Sequence, residues 1–191
     1  MNAFLVSTGI VALGEIGDKT QLLAFMLAAK FRKPVPIVLG ILVATVLNHA
    51  LAGAVGSWVT TLVGPSVLRW ILGGSFLAMA VWTLIPDKLD ENEAKLAKYG
   101  AFLTTLFAFF LAEMGDKTQV ATIALAAQFK AVVPVVAGTT LGILIADIPA
   151  VFIGDRAAKL IPVRVVHTIA AALFAIIGIA TLLGAGSRFG F

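Results

Sequence analysis

Apolar residues run almost unbroken along most of this chain, and polar residues gather into a few short clusters that divide it. The apolar stretches fall at 3–29, 35–56, 66–85, 100–127, 132–153 and 163–184. Each is long enough for a helix of ~20 residues to cross about 30 Å of hydrocarbon. The dividing clusters are KFRKPVP (30–36), VGPS (63–66), PDKLDENEAKLAKY (86–99), FKAVVP (129–134) and GDRAAKLIPVR (154–164), all rich in turn formers or charge. The pattern predicts six transmembrane helices. Only 86–99, with seven charges of both signs, reads as a true connector, a short solvated helix or loop.

Composition narrows the class further. Of 191 residues 60% are hydrophobic and only 13% charged, too few polar groups to clothe a soluble core. An all-α membrane protein is expected, with the lipid bilayer as its main partner. The formal charge of +4 does not point to nucleic acid, because the basic residues flank apolar segments as topology signals do. Cysteine is absent, which excludes a disulfide framework and thiolate metal or redox chemistry. No cleavable signal peptide is evident: the N-terminus lacks a basic region, and the first apolar run carries Glu15.

The two halves of the chain repeat one another. A shift of 98 residues places Glu15 on Glu113 and GDKTQ (17–21) on GDKTQ (115–119); without a gap, 16 of the 42 residues from Glu15 to Gly56 are identical to those from Glu113 to Gly154. Each repeat carries three spans, an odd number, so the second must enter the membrane in the opposite sense to the first. The expected organisation is a three-helix repeat at 1–85, a linker at 86–99 and a second, inverted three-helix repeat at 100–191, an arrangement common in secondary transporters. Nine Lys and Arg residues fall in the loops after spans 1, 3 and 5, against three on the opposite side. The positive-inside rule then places the linker in the cytoplasm and both termini outside. Trp58, Trp70 and Trp82 lie near span ends, where aromatic anchors belong.

Within this apolar frame, five of the ten acidic residues fall inside expected spans: Glu15, Asp18, Glu113, Asp116 and Asp147. Each costs about 2.5–3.5 kcal/mol at a helix centre, so together they oppose insertion by on the order of 10 kcal/mol. Pairing with Lys19 and Lys117 leaves a surplus of carboxylates and does not account for duplication of the whole octet. On a continuous helix, Glu15, Asp18 and Gln21 share one face and can converge on one point, as can Glu113, Asp116 and Gln119. Gly14, Gly17 and Gly115 allow either close helix approach or a local break. Lys19 and Lys117 can temper charge in the absence of a cation, or simply snorkel or pair.

The second span of each half adds polar groups at matching positions, Asn48 and His49 aligning with Ala146 and Asp147. Asn48 and Asp147 are candidate ligands; His49 is a candidate supporting ligand or proton relay. His167, near the start of the sixth span, reads as interfacial. A site of carboxylates and amide carbonyls without sulfur suits a hard divalent cation: Ca²⁺, Mg²⁺ or Mn²⁺. Carboxylates crowded together away from water also resist full ionisation, so protons held in the empty site would leave as a cation enters. Cation/proton exchange through rocking of the two repeats follows as an expectation. No resident cofactor is implied, since the metal is cargo. A membrane-embedded, metal-dependent hydrolase is a weaker alternative, because both octets lack Arg and a nucleophilic Ser or His.

The paired sequences EIGDKT (15–20) and EMGDKT (113–118) also carry a resemblance. In a chain of this length with six spans, two copies of E-x-G-D-[KR]-[TS] resemble the Gdt1 family of membrane cation transporters, and the likeness covers essentially the whole chain. It implies transport of Mn²⁺, with Ca²⁺ an alternative cargo, in exchange for protons, and bacterial members are similar to manganese exporters. By matching position it implies Glu15, Asp18, Glu113 and Asp116 as ligands, with Thr20, Gln21, Thr118 and Gln119 in support. The chain begins without the N-terminal extension of eukaryotic members, which points to a bacterial protein of the inner membrane.

Overall fold

The computed structural model describes residues 2–85, 99–153 and 163–184. Among them are eight helices and no strand: α1 (Ala3–Glu15), α2 (Lys19–Phe31), α3 (Pro34–Leu62), α4 (Pro65–Trp82), α5 (Gly100–Glu113), α6 (Lys117–Phe129), α7 (Val132–Ile153) and α8 (Val163–Leu182). Apart from Tyr99, the expected connector at 86–99 lies outside the described residues, as does most of 154–164. Helices α3 and α4 start on Pro34 and Pro65, whose fixed φ and missing N–H suit a first helical turn. At the far ends of α2 and α6 the chain turns through Arg32 and Lys130, both in the left-handed region, with φ of 54° and 50°.

Four helices, α3, α4, α7 and α8, are long and apolar enough to cross a membrane; α1 and α5 are shorter apolar helices. The expected continuous spans at 3–29 and 100–127 are corrected here. Each is two helices, interrupted at 16–18 and 114–116, within the repeated octet.

Burial is inside-out relative to a soluble protein. Ser7, Thr45, Asn48, Thr104, Thr105 and Thr139 are essentially inaccessible, while Leu5, Leu51, Val81 and Ile176 stand open on the surface. Lipid tails solvate the apolar exterior, so small and polar residues collect where helices touch. This distribution marks a membrane protein.

Packing is crosswise between the halves. Helix α1 lies chiefly against α7 and α3 against α5, with α3 also meeting α7 and α6 at the centre; α4 and α8 pair at one side. Two of the glycines that admit close helix approach occupy matching positions in the halves. A Cβ on Gly40 would stand 2.9 Å from the Phe102 carbonyl oxygen and 2.7 Å from Thr105, and one on Gly138 would meet the Phe4 carbonyl oxygen and Ser7. Raising 40 by 98 and lowering 102 and 105 by 98 converts the first contact set into the second. Gly14 meets nothing within 4 Å among the described residues, so it does not serve close helix approach. In the α4/α8 pair Phe76 stacks on Phe174, ring centres 6.4 Å apart.

A candidate cation site at two broken helices

Each interruption is a tight turn written by the motif itself. Ile16 has φ −62° and ψ 117°, Gly17 has φ +84°, and the Asp18 N–H donates to the Glu15 carbonyl at 3.0 Å. The second copy matches: Met114 at −70° and 118°, Gly115 at φ +78°, and Asp116 N–H to the Glu113 carbonyl at 3.2 Å. These are the torsions of a type II turn, whose third residue needs positive φ and therefore glycine. The helix then restarts with the aspartate as N-cap: Asp18 Oδ1 accepts the Lys19 N–H at 2.8 Å.

The remaining octet positions hold the turns in place. Thr20 donates its hydroxyl to Glu15 Oε2 at 2.7 Å, and Thr118 to Glu113 Oε2 at 3.1 Å. Gln21 Oε1 accepts the Gly17 N–H at 3.0 Å while its amide nitrogen donates to the Ala146 carbonyl on α7 at 2.8 Å. Gln119 accepts the Gly115 N–H at 2.7 Å and donates to Asn48 Oδ1 at 3.3 Å. Asn48 in turn donates to the Phe110 carbonyl at 2.9 Å, near the end of α5, where helix carbonyls lack intrahelical partners. Position 48 and position 146 are equivalent under the shift of 98, so an Asn side chain in one half does what a backbone carbonyl does in the other.

Convergence at one face of a continuous helix is thus not how the acids meet. The breaks bring them together: one carboxylate oxygen each from Glu15, Glu113 and Asp116 lies within 4.8 Å of the others, and all three residues are buried. Oxygens on opposite sides of an ion bound at about 2.3–2.6 Å stand ~4.6–5.2 Å apart, so this spacing fits one cation among them. Without one, two ionised carboxylates at this separation repel by on the order of 3 kcal/mol per pair at an effective dielectric near 20. Glu15 Oε1, Glu113 Oε1 and both oxygens of Asp147 have no hydrogen-bond partner among the described residues. Asp147 lies on α7 and is fully buried.

Two lysines answer part of that charge, each across the halves. Lys117 Nζ is 3.0 Å from Asp18 Oδ2, with both side chains 1% exposed; Lys19 Nζ is 3.5 Å from Asp116 Oδ1 and 17% exposed. Each lysine is thus paired with an aspartate of the other half. His49 fills the space beside Glu113, its Nε2 4.0 Å from Oε2 and its Nδ1 2.7 Å from the Thr139 hydroxyl. His167 is the residue missed by sequence reasoning. It is buried, and its Nε2 donates to the Ile16 carbonyl at 2.8 Å, inside the first turn. A lone histidine bonding to a backbone carbonyl distant in sequence carries no motif that could have announced it.

An all-helical membrane protein that gathers duplicated carboxylates out of contact with lipid is built to handle cations. The chain belongs to the family described as divalent cation/proton antiporter GDT1, which it matches over residues 3–91 and 101–188. A Vibrio cholerae protein named "Putative manganese exporter" is 47% identical over 182 residues, which cover 95% of this chain and 90% of that protein. The rice GDT1-like protein 3 (Oryza sativa subsp. indica) is 32% identical over 91% of this chain and 71% of its own length. A GDT1-like protein of Synechocystis is 28% identical, over 91% and 93% respectively. No solved structure matches the chain.

Proposed function

We propose that this protein exports Mn²⁺ from the cytoplasm in exchange for protons, through one site built from both halves. The observation that carries the reading is the meeting of oxygens from Glu15, Glu113 and Asp116, contributed by two separately broken helices. In this reading those three residues bind the ion, Asp18 and Asp147 join when a lysine or a proton leaves, and Gln21 and Gln119 brace the turns while each keeps one carbonyl lone pair for the metal. Asn48 fixes the second turn and Thr20 and Thr118 orient the glutamates. Broken helices suit this task, since α1 and α5 end at the site and bring there the negative pole of each helix dipole.

The architecture proposed with this function is six spans in two inverted repeats, 1–85 and 100–191, with α1 and α2 forming the first span and α5 and α6 the fourth. Support comes from the odd number of spans per repeat and from crosswise contacts that map onto each other under the shift of 98. The Lys and Arg asymmetry favours a cytoplasmic linker at 86–99 and external termini in a bacterial inner membrane. Manganese is favoured over calcium by the imidazole of His49 beside Glu113, since nitrogen donors suit transition metals better than Ca²⁺.

Proteoliposomes holding the purified protein and an outward-directed proton gradient should accumulate Mn²⁺. Glu15→Gln and Asp116→Asn should each reduce uptake at least tenfold, and excess Ca²⁺ should compete weakly. Undiminished uptake by both variants would overturn the assignment of the site, and stronger competition by Ca²⁺ would reassign the cargo.

A further inference from the structure

The register of the duplication continues past the octets into the last helix of each half. Without a gap, Val67, Ile71, Phe76, Thr83 and Leu84 of the first half align with identical residues at 165, 169, 174, 181 and 182. Position 163 then matches Pro65, and His167 matches Arg69, a second basic residue with N–H donors. Yet these equivalent residues do not occupy equivalent places.

Over the first turn the start of α8 closes down. A Cβ on Gly17 would run into the side chain of Val163, and His167, one helical turn further on, donates to the Ile16 carbonyl. The second turn has no such cover among the described residues: a Cβ on Gly115 would meet nothing within 4 Å, and Met114 is 53% exposed. Arg69 instead lies away from it, exposed, with its guanidinium 5.9 Å from the Trp70 ring centre and beside Gly184. The helices follow the same asymmetry, α8 packing on α1 while α4 packs on α6. Irregular backbone at membrane depth is tolerated only under protein or against a water-filled space. Among the described residues one break is therefore covered by a helix start and the other is not.

We propose that the first turns of α8 and α4 are a matched pair of latches: Val163 and His167 close the break at 16–17, and Pro65 and Arg69 close the break at 114–115 when the first latch releases. This rests on the exchange reading above and supplies its moving parts. In the second state Arg69 donates to the Met114 carbonyl as His167 now does to Ile16, and α4 moves toward α5. His167 and Arg69 act in this proposal as positioning residues, through the backbone of the turns.

The chain has no cysteine, so introduced pairs are the only thiols. Gly17→Cys with Val163→Cys, and Gly115→Cys with Pro65→Cys, should each form a disulfide in membranes, and each crosslink should stop Mn²⁺ transport until reduced. With all four substitutions, closing one pair should leave the other open to maleimide. A second pair that stays reduced under every metal and pH condition would overturn the proposal, as would transport by protein crosslinked at the first pair. Should cysteine at Gly17 prevent folding, His167→Phe should lower kcat at least fivefold with KM for Mn²⁺ nearly unchanged, and His167→Gln, which keeps a donor, should restore most of it. An unchanged kcat in His167→Phe, or no restoration by Gln, would equally reject the latch. If wild-type protein moves no Mn²⁺, the exchange reading fails; alternating crosslinks would still support the latches.

Discussion

Six residues of the octet have separate tasks, and the tasks explain why those six recur in the second half. Glu15 offers oxygen, Gly17 the positive φ, Asp18 the helix cap, Lys19 a charge for the other half, Thr20 a bond to the glutamate and Gln21 a brace across the turn. The acids were legible in the sequence because charge inside an apolar run is costly wherever it occurs. The braces were not: an amide donates and accepts, so spacing alone does not say whether Gln21 faces a metal or a backbone. The lysines permit a prediction by magnitude. Breaking a buried ion pair costs about 3–5 kcal/mol, because the remaining charge is left uncompensated. Lys117→Met should therefore lower the melting temperature of metal-free protein in detergent, and should enlarge the stabilisation that added Mn²⁺ produces. Lys19→Met should do less on both counts, its side chain being 17% exposed and its partner 3.5 Å away. An equal Mn²⁺ shift in wild type and Lys117→Met would show that the lysine and the metal do not compete.

At the scale of elements, the interrupted helices are where sequence and structure part. Apolar runs of 27 and 28 residues invite a single helix each, and one internal glycine is tolerable in a helix at a cost of about 1 kcal/mol. What decides otherwise is the set of bonds a break makes possible: an Asp cap, a Gln brace and a Thr contact, all local but visible only once the turn exists. The boundaries of α3, α4, α7 and α8 were more accessible, since proline and charge mark them. The two turn glycines separate conformational strain from crowding. An alanine at positive φ is strained by roughly 1–2 kcal/mol at either site. At Gly17 its Cβ would also strike Val163, whereas at Gly115 it meets open space among the described residues. Gly17→Ala should thus destabilise the protein by clearly more than Gly115→Ala, measured as melting temperature or yield of monodisperse protein. Equal losses would mean that α8 does not hold its place over the first turn.

The whole molecule is held together by contacts between the halves rather than within them. Sequence periodicity revealed the duplication, but it could not show that α1 seeks α7 and α3 seeks α5, because the deciding features are single glycines facing backbone. Gly40 and Gly138 each admit a carbonyl of the opposite half, and a larger residue at either would force the helices apart. The cation cluster likewise draws on Glu15 from one half and on Glu113 and Asp116 from the other. Neither half can bury its small-residue faces alone, nor neutralise its own aspartate, since Asp18 is paired by Lys117 and Asp116 by Lys19. Cutting the chain within 86–99 tests this interdependence directly. Residues 1–92 and 93–191 expressed singly should be degraded in the membrane, whereas their co-expression should rebuild a complex that survives detergent extraction and exports Mn²⁺. Two halves folding as autonomous domains would each accumulate alone. The crosswise contacts argue against that outcome: helices α1 and α3 would each lose their principal partner, and Lys19 and Lys117 would each lose the aspartate they pair with.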